Sequence, residues 1–325
     1  MDVQKNTTVP ARNSVLVAFS TGFTSGSGLI VTALCIAAFL RTEKFSSSYR
    51  WLTISLAVAD GGVLSVFFFW TVPVTVLGRS QVCSLLGRKF GQLALTFQFA
   101  VVYNMLAVTV NRYFAVARFV DYDIWFSERN SKQLIGSIWL LSAVHGLLYF
   151  WPGCDFVYNH TTFVWLFVES KCHTLMIAFD LWYSLFFLLL MMCINLASGW
   201  HIHRHNRRVV SRLGKGKEKS RVILERRKQE TRFFLQSCLN LSAFGLMFIS
   251  FHLVSPQFSA TALLYLTTTW IWQMSHCTNA WVLLLFNKEL RKCLPCFGAN
   301  KVLPTAPIAK QVNRAQQVSP ALNRD

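Results

Sequence analysis

Val-Thr-Val-Asn-Arg-Tyr-Phe-Ala-Val, residues 108–116, closes an apolar run that begins near Phe90. At about 1.5 Å of rise per helical residue, the segment from Phe90 to Arg112 is roughly 33 Å long, one bilayer core. Arg112 therefore stands at the far edge of a membrane helix, where a cation needs the headgroup region or a partner. What surrounds it decides between anchoring and signalling.

The chain has 325 residues, long enough for two soluble domains, but its composition argues otherwise. Charged residues make up 14 % and hydrophobic ones 53 %, whereas a soluble domain carries about 25 % charge. The net charge of +18 would suggest nucleic acid if it lined one soluble face; here the basic residues lie between apolar blocks. Seven blocks are long enough to cross a membrane: 17–40, 51–77, 90–117, 133–152, 174–199, 233–254 and 260–286. The expected fold class is an all-α membrane protein, a seven-helix bundle. The polar segment before the first block and the block's length argue for a retained signal anchor, not a cleaved leader.

Basic residues set the orientation. With the N-terminus outside, the inner segments hold 25 Lys and Arg and the outer ones six. Asn6 and Asn159, in Asn-x-Thr triplets, then both face outward as glycosylation acceptors. The expected organisation is an extracellular segment 1–16, a seven-span domain 17–292 and a disordered cytoplasmic tail 293–325, in the plasma membrane. A short amphipathic helix is expected after Asn287, with Cys293 and Cys296 at its end as palmitoylation candidates. Loop 201–232 carries 12 Lys and Arg against three Glu, which suits the anionic inner leaflet or an acidic partner.

Two groups of polar residues lie at membrane depth. Asp60 in the second span and Asn279 in the seventh come out at similar depths, about 12–14 Å from the inner end, so they can pair as a polar hub between helices. Nearer the outside, Trp70, His145, Asp180 and Trp270 could line a cavity with aromatic walls and one carboxylate, suited to a small ligand. The plainer alternative makes His145 a core histidine and the tryptophans packing residues. Cys154 and Cys172 flank a run of alternating aromatics broken at Asn159-His160-Thr161, which reads as a hairpin. Outside the cell a disulfide is favoured, either Cys154–Cys172 or Cys83–Cys172.

Seven spans, Leu-Ala-Val-Ala-Asp ending at Asp60, Asn111-Arg112-Tyr113 and Trp139 resemble the rhodopsin-like G-protein-coupled receptors. Within them the chain is most similar to nematode serpentine chemoreceptors of class x. That likeness is carried by Gly91-Gln92, the Cys154…Trp165-x-Phe…Cys172 segment, Arg227-Lys228-x-x-x-Arg232-Phe-Phe-Leu-Gln-Ser-Cys238 and Phe286-Asn287-Lys288-Glu289, over residues 20–292. The resemblance implies a small-molecule ligand, a heterotrimeric G protein, membrane lipids as surroundings, and no cofactor, catalysis or nucleic acid. It also implies coupling through Asn111, Arg112 and Tyr113, with Glu230 or Glu225 restraining Arg112. Departures are plain: Asn111 stands where the family has an acid, Ala280 replaces the proline of span seven, and Leu283 its tyrosine. Val101 replaces a sodium-site serine, and the seventh span has no lysine for a retinal Schiff base. Two other classes compete, a seven-helix hydrolase with a His/Asp metal site and a transporter. The His and Asp side chains do not converge at one depth, and no internal repeat appears.

Overall fold

In a bilayer no water satisfies a bare amide, so apolar blocks of this length form helices that close their own hydrogen bonds. The computed structural model describes residues 11–41, 46–78, 85–118, 120–210, 217–287 and 290–291; for residues 11, 205–210 and 217–230 it describes the backbone only. Seven long helical rods follow one another. They are α1 (Ala11–Arg41), α2 (Ser47–Leu77), α3 (Leu85–Ala117), α4 (Glu128–Phe150), α5 (His173–Val210), α6 (Lys217–Ile249, continuing to Gln257) and α7 (Thr261–Tyr265 through Ile271–Phe286). Six of these, α1 to α6, are long and apolar enough to cross a membrane by length and composition. The seventh is more polar, with Thr267, Thr268 and Thr269 in one turn.

Large apolar side chains such as Phe19, Phe23, Leu140, Trp182 and Leu196 point outward on several rods. Helices apolar on all sides suit lipid, not water. Inside, α3 is the axial helix: it packs against α2, α4, α5, α6 and the hairpin. The opening stretch therefore lies at the end of the axial rod.

Most rods outrun the predicted spans because their ends continue past the apolar core. The largest difference is at the basic loop. Residues 201–210 extend α5, and α6 begins at Lys217, so most of what reads as loop is helix. Alternating His and Arg are compatible with helix once the chain leaves the bilayer.

Three π turns interrupt the rods: Phe67–Thr71 in α2, Ser250–Val254 in α6 and Leu266–Trp270 in α7. The first two have a physical cause two residues on, at Pro73 and Pro256. A proline has no N–H and its ring crowds the carbonyl four residues back, so the preceding turn widens. The third carries no proline. Its threonines bond back instead, Thr267 Oγ1 donating to the Leu263 carbonyl at 2.7 Å and Thr268 Oγ1 to that of Leu264 at 2.5 Å.

Between α4 and α5 lies the hairpin expected from the aromatic alternation. β1 (Phe156–Asn159) pairs antiparallel with β2 (Val164–Phe167), Phe156 opposite Phe167 and Tyr158 opposite Trp165. Asn159 Oδ1 accepts from the Thr161 amide at 2.9 Å and hydroxyl at 2.7 Å, which fixes the turn. The disulfide joins Cys154 to Cys172, with Cα atoms 5.1 Å apart, and ties the hairpin's two ends. Cys83, the alternative partner, lies outside the described residues. Docking on α3 depends on Gly91: a Cβ there would stand 1.7 Å from the carbonyl oxygen of Phe156. Gln92, its neighbour, donates to the Tyr149 carbonyl at 2.7 Å.

Candidate functional site: a polar column from cavity to arginine

Under the hairpin, α3, α5, α6 and α7 leave a cavity of about 570 Å³, counted to its open mouth. Its walls are mostly apolar and aromatic: Leu95, Phe156, Phe167, Phe248, Phe251 and Trp272. Its polar groups are Gln98, Asp180, Tyr183, Ser184 and His252. Asp180 Oδ2 is 3.4 Å from His252 Nε2, so the one carboxylate in the cavity faces an imidazole across the gap between α5 and α6. A few convergent polar groups on apolar walls suit a small organic ligand.

Of the four residues expected to line this cavity, only Asp180 does. Trp70 is stacked on Phe90, centroids 4.5 Å apart, between α2 and α3. His145 lies flat against Phe99 at 3.6 Å and receives or donates one bond with the Tyr103 hydroxyl at 3.1 Å, in the packing between α3 and α4. Trp270 packs on the hairpin-end core while Trp272 faces the cavity. The cause is geometric. Counting residues fixes height along a helix but not azimuth, and residues two apart point about 200° apart. The π turn ending at Trp270 shifts the face further.

Farther down, Asp60, 2 % exposed, is enclosed by α2, α3 and α7. Asn279 donates from Nδ2 to Asp60 Oδ2 at 2.7 Å, so the two residues placed at one depth by counting do meet. His276, three residues before Asn279 on the same helical face, brings Nδ1 to 2.8 Å from Asp60 Oδ1. Its Nε2 is 2.9 Å from Gln98 Oε1, which also accepts from Trp272 Nε1 at 2.8 Å. On the other side Asn240 of α6 donates to Asn279 Oδ1 at 2.7 Å. The sequence carried the signal for His276, a polar residue at i−3 from Asn279; Gln98 and Asn240 become visible only when α3 and α6 are seen to face inward there.

Arg112 lies at the far end and is only 5 % exposed. Its guanidinium carbon is 3.7 Å from the ring centre of Tyr49 and 4.6 Å from that of Phe233, within the range of cation–π attraction. Nη2 donates to Asn111 Oδ1 at 3.1 Å. Asn111 Nδ2 in turn donates to the Tyr122 hydroxyl at 3.1 Å, in the one-turn helix Tyr122–Trp125 after α3. The neutral amide at 111 thus offers one oxygen to the arginine where an acid would offer a charge. Tyr113 turns away and meets the His201 ring edge-on at 6.0 Å. The side chains of Glu225 and Glu230, and Asn6, Cys293 and Cys296, lie outside the described residues. Asn287 is buried and its carbonyl accepts from the Arg291 amide at 3.1 Å, the start of a turn after α7.

Three spaces adjoin one another along these parts. The cavity under the hairpin shares Gln98 with a second, small space beside Asp60 and His276. That space shares Asn240 with a third small one, which Arg112, Tyr49 and Phe233 line. A polar column therefore runs from the hairpin end to the arginine end of the bundle.

Comparison with known proteins agrees with this architecture. The chain is similar to squid rhodopsin, with a TM-score of 0.76 over 97 % of this chain and 93 % of that one at 14 % identity, a likeness of fold. It is 23 % identical over 296 residues to "Serpentine receptor class X 45" of Caenorhabditis elegans, spanning 84 % of this chain and 80 % of that protein. A shorter match, 28 % over 132 residues, is to the "Muscarinic acetylcholine receptor M3" of Rattus norvegicus and spans 40 % of this chain and 22 % of that one. The profile of the family described as "Serpentine type 7TM GPCR chemoreceptor Srx" matches residues 23–287. The chain is a multi-pass G-protein-coupled receptor, a seven-helix protein whose relatives are receptors and not enzymes, and it belongs to the serpentine type 7TM GPCR chemoreceptor Srx family.

Proposed function

We propose that this receptor takes a small organic ligand into the cavity under the hairpin and signals through a heterotrimeric G protein at the Arg112 end. The observation that carries the reading is the column of three adjoining spaces, with Gln98 and Asn240 as shared walls. A ligand that binds one arrangement of the helices more tightly than another shifts the population between them. Trp272 and Gln98 line the cavity; Trp272 bonds to Gln98 and Gln98 to His276, from which the chain reaches α6 through Asp60, Asn279 and Asn240. The arrangement described, with Arg112 against Tyr49 and Phe233, is the resting one. In the signalling arrangement α6 carries Phe233 away, and Arg112 meets the G protein together with Asn111 and Tyr113.

Asp180 and His252 give the ligand site its polarity. A ligand with a hydrogen-bond donor or a positive charge would replace His252 as the partner of Asp180. The charge bias of the chain supports a plasma-membrane orientation with the hairpin end outside, where Asn159 would accept a glycan. The test is a ligand screen in cells supplied with promiscuous G proteins, followed by Asp180→Asn on any agonist found. An unchanged dose–response at normal surface expression removes Asp180 from the site.

A further inference from the structure

The hydrogen bonds around His276 allow only one count of protons. Trp272 Nε1 is a donor and nothing else, so the Gln98 atom it meets at 2.8 Å must be the oxygen. The same oxygen is 2.9 Å from His276 Nε2, so Nε2 must carry a proton and donate. At the other nitrogen, Nδ1 meets Asp60 Oδ1 at 2.8 Å. The second carboxyl oxygen, Oδ2, accepts from the Asn279 amide, the role of an unprotonated carboxylate oxygen. A bond between Nδ1 and Oδ1 then needs one proton, held by either atom. Whichever holds it, imidazole and carboxyl together are neutral.

We infer that His276 balances Asp60 in place of a metal ion: the proton shared between Nδ1 and Oδ1 leaves the pair neutral, so the space beside this carboxyl is not a metal-cation site. Both side chains are 2 % exposed, so neither charge is balanced by bulk water. Around the pair, the polar groups contributed by the packed helices are Gln98 of α3, Asn240 of α6, and Ser275 and Asn279 of α7, all neutral. An ionised Asp60 without His276 would be a lone buried charge, which proteins rarely tolerate. The space that remains, walled also by Leu56, Val101, Met105 and Phe244, would then offer the oxygens of Asp60, Gln98 and Asn279 to a small hard cation such as sodium.

The inference rests on the hydrogen-bond geometry and not on the proposed ligand or G protein, and its test reads folding instead of signalling. Surface staining of cells and thermal stability of the purified full-length receptor are compared for the wild type, His276→Asn, Asp60→Asn and the double variant. His276→Asn leaves a buried carboxylate alone and should lower surface level about fivefold or more. Adding Asp60→Asn removes that charge, so the double variant should recover at least half of the loss. Surface staining reads a variant that fails to fold as a low value, so the comparison holds without purifying it. A double variant no better than His276→Asn overturns the inference. So does a wild type whose melting temperature rises on replacing choline chloride with sodium chloride, if Asp60→Asn abolishes the rise. That outcome would put the metal ion, not the His276 proton, in charge of balancing Asp60.

Discussion

Replacing Phe233 by leucine should raise ligand-free signalling. The guanidinium carbon of Arg112 is 4.6 Å from the Phe233 ring centre and 3.7 Å from that of Tyr49, and the side chain is 5 % exposed. Shielded contacts of this kind are worth about 0.5–2 kcal/mol each. Leucine fills nearly the same space, so the packing loss is held to about 1.5 kcal/mol or less and falls on both arrangements while residue 233 stays in the bundle. The ring's attraction for the cation is lost from the resting arrangement alone. A bias of about 1–1.4 kcal/mol changes the ratio of the two states roughly five- to tenfold. The assay is nucleotide exchange on membranes containing a promiscuous G protein, normalised to surface receptor. Phe233→Tyr, which keeps a ring over the cation, should stay near the wild-type level. If leucine leaves basal exchange unchanged in a receptor that reaches the surface, or if tyrosine raises it equally, the aromatic restraint on Arg112 is refuted.

Other outcomes follow from the hairpin and the cavity. Gly91→Ala places a Cβ against the Phe156 carbonyl, so the hairpin must leave α3, and the melting temperature of purified receptor should fall by several degrees; an unchanged value would contradict the docking. Cys172→Ser opens a loop closed over 18 residues, a loss of about 3 kcal/mol. Cys154→Ser should give the same loss, while Cys83→Ser should not; thiol labelling that finds a new free cysteine in Cys83→Ser and none in Cys154→Ser would contradict the Cys154–Cys172 bridge. Asp180→Asn removes a charged acceptor worth about 1.5–3 kcal/mol, so the potency of a cationic or donor ligand should drop more than tenfold. A shift of less than threefold would place the ligand elsewhere.

Much of this molecule could be read from its residues because membrane burial is strict about backbone and charge. Block lengths gave the seven rods. Asp60 and Asn279 were paired by depth alone, since two buried polar groups at one level need each other. Azimuth was harder. Trp272 rather than Trp270 faces the cavity because a π turn displaces the register, and the cause, three threonines without a proline, leaves no mark in hydrophobic periodicity. His252 was not singled out as a partner of Asp180 because α6 had to be placed against α5 first. The acids expected to restrain Arg112, Glu230 and Glu225, have side chains outside the described residues; Tyr49 and Phe233 are ordinary core aromatics until α2 and α6 are seen to converge on the guanidinium. The basic stretch after residue 200 read as loop because it is polar, yet its first ten residues continue α5 to Val210.

The central claim is that a ligand in the cavity acts on a G protein through Arg112. The most direct measurement is agonist-stimulated nucleotide exchange in membranes bearing wild-type receptor or Arg112→Ala at equal surface density, with agonist binding measured in the same membranes. The account predicts that Arg112→Ala still binds the agonist but loses stimulated exchange by about tenfold or more, the removal of a charge-assisted contact of at least about 1.4 kcal/mol. Full agonist-driven exchange in Arg112→Ala would contradict it.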